Sequence, residues 1–152
     1  MEIQKIMSRD IHVVGLNDSV GETAQRMADR DVGFLPVVDG DRLMGIVTDR
    51  DIVTRSVALG LAGQSYVRDI MTSPPKSCRP DETVEAVAHR MADQQVRRLP
   101  VVDGDDKIVG VISLADLGQQ DAATLTATTF AKVVKPAGAH NQRAFHHTAF
   151  GN

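Results

Sequence analysis

Leu35-Pro36-Val37-Val38-Asp39-Gly40 returns unchanged as Leu99-Pro100-Val101-Val102-Asp103-Gly104, 64 residues later. Self-similarity at a fixed spacing is the mark of a repeated structural unit. The same offset carries Ile6-Met7 onto Ile70-Met71, Ser19-Val20 onto Thr83-Val84, and Met27-Ala28-Asp29 onto Met91-Ala92-Asp93. One inserted residue then raises the offset to 65, and Gly45-Ile46-Val47-Thr48 becomes Gly110-Val111-Ile112-Ser113. Thr48-x-x-Asp51 becomes Ser113-x-x-Asp116. The chain therefore holds two copies of one unit.

Each copy predicts the same order of elements. A short extended piece comes first, at residues 11–14 and 76–79. An amphipathic helix follows, with Val20, Ala24, Met27 and Ala28 in one copy and Val84, Val87, Ala88 and Met91 in the other. Asp18-Ser19 and Asp81-Glu82-Thr83 supply capping and acidic residues at its start. Residues 34–38 and 99–102 read as buried strands. Asp39-Gly40 and Asp103-Gly104 are hairpin-turn signals, leading into strands at 43–47 and 108–112. Pro36 and Pro100 lack an amide donor, so each belongs where its strand needs no bond. A second helix starts near Asp49 or Leu114. The fold class is α/β (α+β), β-α-β-β-α twice. One copy is too small to bury a good core. Two copies related by a pseudo-two-fold axis are expected to share one, forming a single module. The expected division is 1–62, 63–120 and a C-terminal extension at 121–152, with residues 60–66 as linker.

Composition narrows the function classes. Hydrophobic residues make up 42% and charged residues 24%, ordinary for a globular chain. With no Trp, one Tyr and four Phe, the core must be aliphatic. The net charge of −3 argues against nucleic-acid binding, which favours a basic balance. No apolar stretch approaches the roughly 20 residues of a membrane span, and the polar N-terminus lacks a signal-peptide core. A single cysteine, Cys78, excludes an internal disulfide and fits a reducing compartment. A cytoplasmic location is expected. No Ser-His-acid set, metal cluster or P-loop is present, so neither catalytic residues nor an enzyme activity are expected.

The element order, with Gly-h-h-Thr/Ser-x-x-Asp after each hairpin, resembles the cystathionine-β-synthase (CBS) domain, which occurs in tandem pairs called Bateman modules. The resemblance covers about residues 1–120. Thr48-Asp49-Arg50-Asp51-Ile52 also resembles the small stand-alone bacterial CBS-pair proteins. The resemblance implies a regulatory sensor that binds AMP, ADP, ATP or S-adenosylmethionine in clefts between the repeats, with no obligatory cofactor. It also implies a homodimer formed through the helices after each motif, where Ile52, Val53 and Val57, and Leu114 and Leu117, supply apolar faces. An unidentified target protein would receive the signal. The alternative is a ligand-free interaction module.

The resemblance assigns Ser8, Ile11, Val13, Arg97, Arg98, Ser113 and Asp116 to one cleft. It assigns Phe34, Thr48, Arg50, Asp51, Thr72, Pro75 and Ser77 to the other. The motif Asp would hold the ribose hydroxyls, for which a carboxylate has the acceptors. The backbone of Ser8, Ile11 and Val13, or of Thr72, Pro75 and Ser77, would read the adenine edge. Ser/Thr-x-x-acid is equally the signature of a helix cap, and the two roles can coexist. Arg97-Arg98 replaces Gly33-Phe34 at the head of the middle strand. It reads either as a phosphate grip or as a solvated strand end, and the phosphate reading is favoured for the Asp116 cleft. Phe34 suits base stacking or blockage of the other. Arg50 either adds a phosphate contact or pairs with Asp49 or Asp51 on an exposed turn, and pairing is favoured.

Cys78 reads as a buried inert thiol. Met7, Met27, Met71 and Met91 read as core filler. Beyond residue 120, Asp121 opens a Thr-rich stretch with Leu125, Phe130, Val133 and Val134, expected as a helix ending at Pro136–Gly138. His140, His146 and His147 match no metal-ligand spacing, and residues 139–152 are expected to form a loose tail.

Overall fold

A computed structural model describes residues 1–61 and 63–120. The expectations for residues 121–152, including the helix from Asp121 and the three histidines, lie outside the described residues.

In the first repeat, β1 (Val14–Gly15) precedes α1 (Val20–Arg30), and β2 (Phe34–Asp39) and β3 (Arg42–Thr48) form the hairpin. Next come α2 (Asp49–Ile52), a π turn at Val53–Val57, and α3 (Val67–Ile70). The second repeat contributes α4 (Val84–Gln94), β4 (Arg98–Val102), β5 (Ile108–Ser113) and α5 (Leu114–Gln120). β1 pairs parallel to β2, and β2 antiparallel to β3. β4 pairs antiparallel to β5, with Cys78 bridging parallel to Val101 where a third strand would lie. Both hairpins carry a register shift at the same repeat position, Val37/Val38 and Val101/Val102.

The capping signals act as read. Ser19 Oγ accepts from Glu22 N at 3.1 Å, and Thr83 Oγ1 from Ala86 N at 3.2 Å. Each helix is also stapled to its preceding segment. Arg26 donates to Val13 O and meets Asp18, and Arg90 donates to Ser77 O and meets Glu82. The inserted residue falls in the second hairpin. Gly40 takes the positive φ of the first turn, at 64°, whereas Asp106 takes it in the second, at 60°.

The expectation of one shared core is corrected. Two buried clusters form, and each is completed by a segment of the other repeat. Ile3 and Met7 pack with Cys78, Val84, Val87, Met91 and Leu99 of the second repeat. Val67 and Ile70 pack with Val14, Val20, Leu35 and Val37 of the first. The boundary near residue 62 in sequence is thus not a boundary in space. The crossing segments are pinned by backbone bonds. Ser8 exchanges both of its amide bonds with Val111 at 2.9 Å, and Thr72 pairs in the same way with Ile46.

The motif glycines make room for this crossing. A Cβ on Gly45 would sit 2.6 Å from Met71 Sδ and 2.9 Å from Thr72 O. A Cβ on Gly110 would sit 2.6 Å from Met7 Sδ and 3.0 Å from Ser8 O. At the far end the hairpins join: Leu43 N donates to Asp106 O and Ile108 N to Asp41 O, each at 3.0 Å, and Lys107 meets Asp41.

Candidate functional site

A cavity of about 870 Å³ opens between the repeats, within the size range of small-molecule sites. One wall comes from the first repeat: Phe34 at the head of β2, Ile46 on β3, and Thr48 and Asp51 at the start of α2. Thr72 and Lys76 of the crossing segment adjoin it. The facing wall is Val96, Arg97, Arg98 and Leu99 at the head of β4, with Ser113, Leu114, Ala115 and Gly118.

The capping reading of both motifs is correct in geometry. Thr48 Oγ1 accepts from Asp51 N at 3.2 Å while Asp51 Oδ2 accepts from Thr48 N at 2.9 Å. Asp116 Oδ2 accepts from Ser113 N at 2.8 Å and Ser113 Oγ at 2.7 Å. In both copies the cap engages Oδ2. Asp51 Oδ1 faces Arg55 Nε at 3.8 Å, too long for a hydrogen bond. Asp51 thus keeps acceptor capacity beside the cavity after capping its helix.

The expected grouping of residues is corrected. Arg97, Arg98 and Ser113 are not joined by Asp116, Ser8, Ile11 or Val13 around the large cavity. They line it together with Phe34, Thr48, Asp51 and Thr72. Each strand head pairs with the motif of its own repeat, Phe34 with Thr48 and Arg98 with Ser113, and both pairs line this one cavity. Ser8, Ile11, Val13, Asp116 and Arg50 are not among its lining residues. Pro75 and Ser77 line a separate small cavity of about 170 Å³ with Leu43, Val102 and Asp106.

The backbone of the crossing segments is also less free than expected. The amide and carbonyl of Ser8 and of Thr72 are bonded across to the other repeat. The carbonyls of Val13 and Ser77 accept from Arg26 and Arg90. Lys76 was missed as a site residue. Its signal was available, because it stands opposite His12 in the 64-residue offset. Arg55 was also missed. Its Nη1 donates to Ile70 O at 3.2 Å and Met71 O at 3.3 Å, tying the Asp51 helix to the segment that ends at Thr72.

The family model described as the CBS domain matches residues 3–58 and again 67–118. The chain belongs to the CBS-domain family. The uncharacterized protein YlbB of Bacillus subtilis is 41% identical over 118 residues, covering 76% of this chain and 79% of its own length. The solved structure of CBSX2 in complex with AMP is 26% identical, with a TM-score of 0.69 over 78% of this chain and 94% of that one. The CBS domain pair of protein MJ0100, solved with 5′-methylthioadenosine and S-adenosyl-L-methionine, is 26% identical. Its TM-score is 0.68, over 79% of this chain and 94% of that one.

In this CBS pair the two post-motif helices differ in what they expose. Val53 and Val57 are 57% and 65% exposed, and Leu59 is 68% exposed. Leu114 and Leu117, expected on a second apolar face, are instead buried in the core of the second CBS repeat. Among the described residues no group of three His, Cys, Asp or Glu is placed to hold a metal ion. No helix among them is long and apolar enough to cross a membrane. Burial, reinforced by nearby Glu82 and opposed by Arg90, pushes the Cys78 thiol up to about 12, which suits an inert packing role.

Proposed function

We propose that this CBS pair is a regulatory module that binds an adenosine-containing ligand in the cavity between its repeats. The observation that carries the reading is the placement of Asp51, whose carboxylate lines a cavity built by both repeats. Asp51 would accept from the ribose hydroxyls through the oxygen its cap leaves available. Phe34, Ile46, Val96 and Leu99 supply apolar surface for an adenine ring. Similar CBS pairs solved with AMP, or with 5′-methylthioadenosine and S-adenosyl-L-methionine, support the ligand class. A ligand held by both walls signals only through different affinity for two arrangements of the repeats. The exposed Val53, Val57 and Leu59 support a homodimer through the first post-motif helix, and a cytoplasmic setting fits the single reduced cysteine.

Isothermal titration of the full chain with AMP, ADP, ATP, S-adenosylmethionine and 5′-methylthioadenosine tests the reading. Binding of at least one, lost in Asp51→Asn, is expected. No heat and no thermal shift with any of them would leave the second reading, an interaction module whose apolar helix face does the work.

A further inference from the structure

Arg55 reaches two places at once. Its Nε faces Asp51 Oδ1 at 3.8 Å, one turn earlier on the same helical stretch. Its Nη1 donates to Ile70 O at 3.2 Å and to Met71 O at 3.3 Å. These carbonyls end α3, where a helix leaves acceptors without partners and a basic side chain can satisfy them. The next residue, Thr72, exchanges both amide bonds with Ile46 and lines the cavity with Asp51. Arg55 itself sits in the π turn, which Ala58 N closes by donating to Val53 O at 2.8 Å. Single π turns within helical stretches are frequent at functional sites. At the 65-residue offset Gln120 stands in place of Arg55, and its amide brings no charge to Asp116.

We propose that Arg55 is a positioning residue that couples the Asp51 carboxylate to the docking of the crossing segment, so that a ligand held by Asp51 also fixes how residues 70–72 seat on the first repeat. The inference rests on the adenosine reading of the cavity and adds a means of regulation to it. The cap holds Asp51 through Oδ2, which leaves Oδ1 to be oriented by the guanidinium. Ribose hydroxyls on Oδ1 would meet a carboxylate already ordered, and would in turn hold Arg55 against the α3 carbonyls. Ordering one group for two partners costs its entropy once, so each partner favours the other. Linkage makes that effect reciprocal. A forked side chain is required, because Nη1 serves the carbonyls while Nε faces the carboxylate.

Hydrogen exchange, followed residue by residue in the full chain, tests the coupling first without ligand. Arg55→Gln changes a half-exposed side chain outside both buried clusters. It should speed exchange at the Thr72 and Ile46 amides about tenfold, because bonds from a charged donor are lost. Asp51→Asn keeps an oxygen for its cap. It should speed the same amides about two- to fivefold, the range of a partly exposed ion pair, and should add nothing in the Arg55→Gln background. Equal effects of Asp51→Asn in both backgrounds, or none in the native one, overturn the inference with no ligand involved.

AMP supplies the second arm. It should slow exchange at the Met71 amide, which is not among the cavity lining, in the native chain but not in Arg55→Gln. Its affinity for Arg55→Gln should fall by about two- to fivefold. Equal protection and equal affinity in the two proteins overturn the coupling and leave the adenosine reading standing. A non-additive cycle in a chain that binds no adenosine compound keeps the Arg55 bridge and removes the adenosine reading.

Discussion

The two repeats share one fold but differ in what they bring to the cavity between them. Both form the same cap at Thr48-x-x-Asp51 and Ser113-x-x-Asp116. Both lend a crossing segment to the other's core. Only the second places Arg97 and Arg98 at a strand head, and only the first places its motif Asp on the large cavity. The lesson is that symmetric parts of this chain maintain the scaffold, while the asymmetric parts set the character of the cavity between the repeats. Variants in the crossing segments and at the motif glycines should therefore act alike in both repeats and chiefly on stability. Variants at asymmetric positions should act on binding.

The largest stability effects are expected at the crossing segments. Ile3→Ala and Ile70→Ala each truncate a side chain at most 1% exposed. Each should cost about 2–5 kcal/mol in denaturant unfolding, the range for large-to-small core changes. A loss below about 1 kcal/mol for Ile3→Ala would show that the N-terminal segment does not belong to the second core. Gly45→Ala and Gly110→Ala come next. Each new methyl meets a methionine sulfur at 2.6 Å and a backbone carbonyl at 2.9 or 3.0 Å. Overpacking of this kind costs about 1–3 kcal/mol. Adding Met71→Ala to the first, or Met7→Ala to the second, should not restore full stability, because the carbonyl contact remains. If both glycine variants melt like the native chain, the close crossing is wrong.

A smaller effect follows from Cys78, which has no equivalent thiol in the first repeat. Its folded-state pKa is raised from 9.0 to about 12. A group raised in this way contributes full stability below its unfolded value and loses it as pH climbs through the folded value. Stability should therefore decline between about pH 9 and 12, and Cys78→Ala should decline less steeply. Parallel pH profiles for the two proteins would remove the thiol from the account.

Much of this was legible in the sequence because the signals are local. The hairpins lie within a residue or two of their expected bounds, since Asp39-Gly40 and Asp103-Gly104 mark the turns. Ser19, Thr83, Thr48 and Ser113 cap the helices they precede. The repeat offset identified equivalent positions. It did not say which positions face each other, because pairing Ile3 with the first core or the second leaves the offset unchanged. The same gap misplaced Arg97 and Arg98, which are equivalent to Gly33 and Phe34 but lie opposite Asp51. Leu114 and Leu117 show a further limit. An apolar pair on a short helix has the same pattern whether it faces a core or a partner, and only packing distinguishes them.

The central proposal is that Asp51, rather than Asp116, would hold an adenosine ligand in the cavity between the repeats. Titrating an adenosine 5′-phosphate into Asp51→Asn and Asp116→Asn side by side tests it directly, because Asn preserves an oxygen for each cap. The account predicts a loss of about tenfold or more in affinity for Asp51→Asn, as expected when a charged acceptor is removed, and a near-native value for Asp116→Asn. Loss in Asp116→Asn with native binding in Asp51→Asn would contradict it.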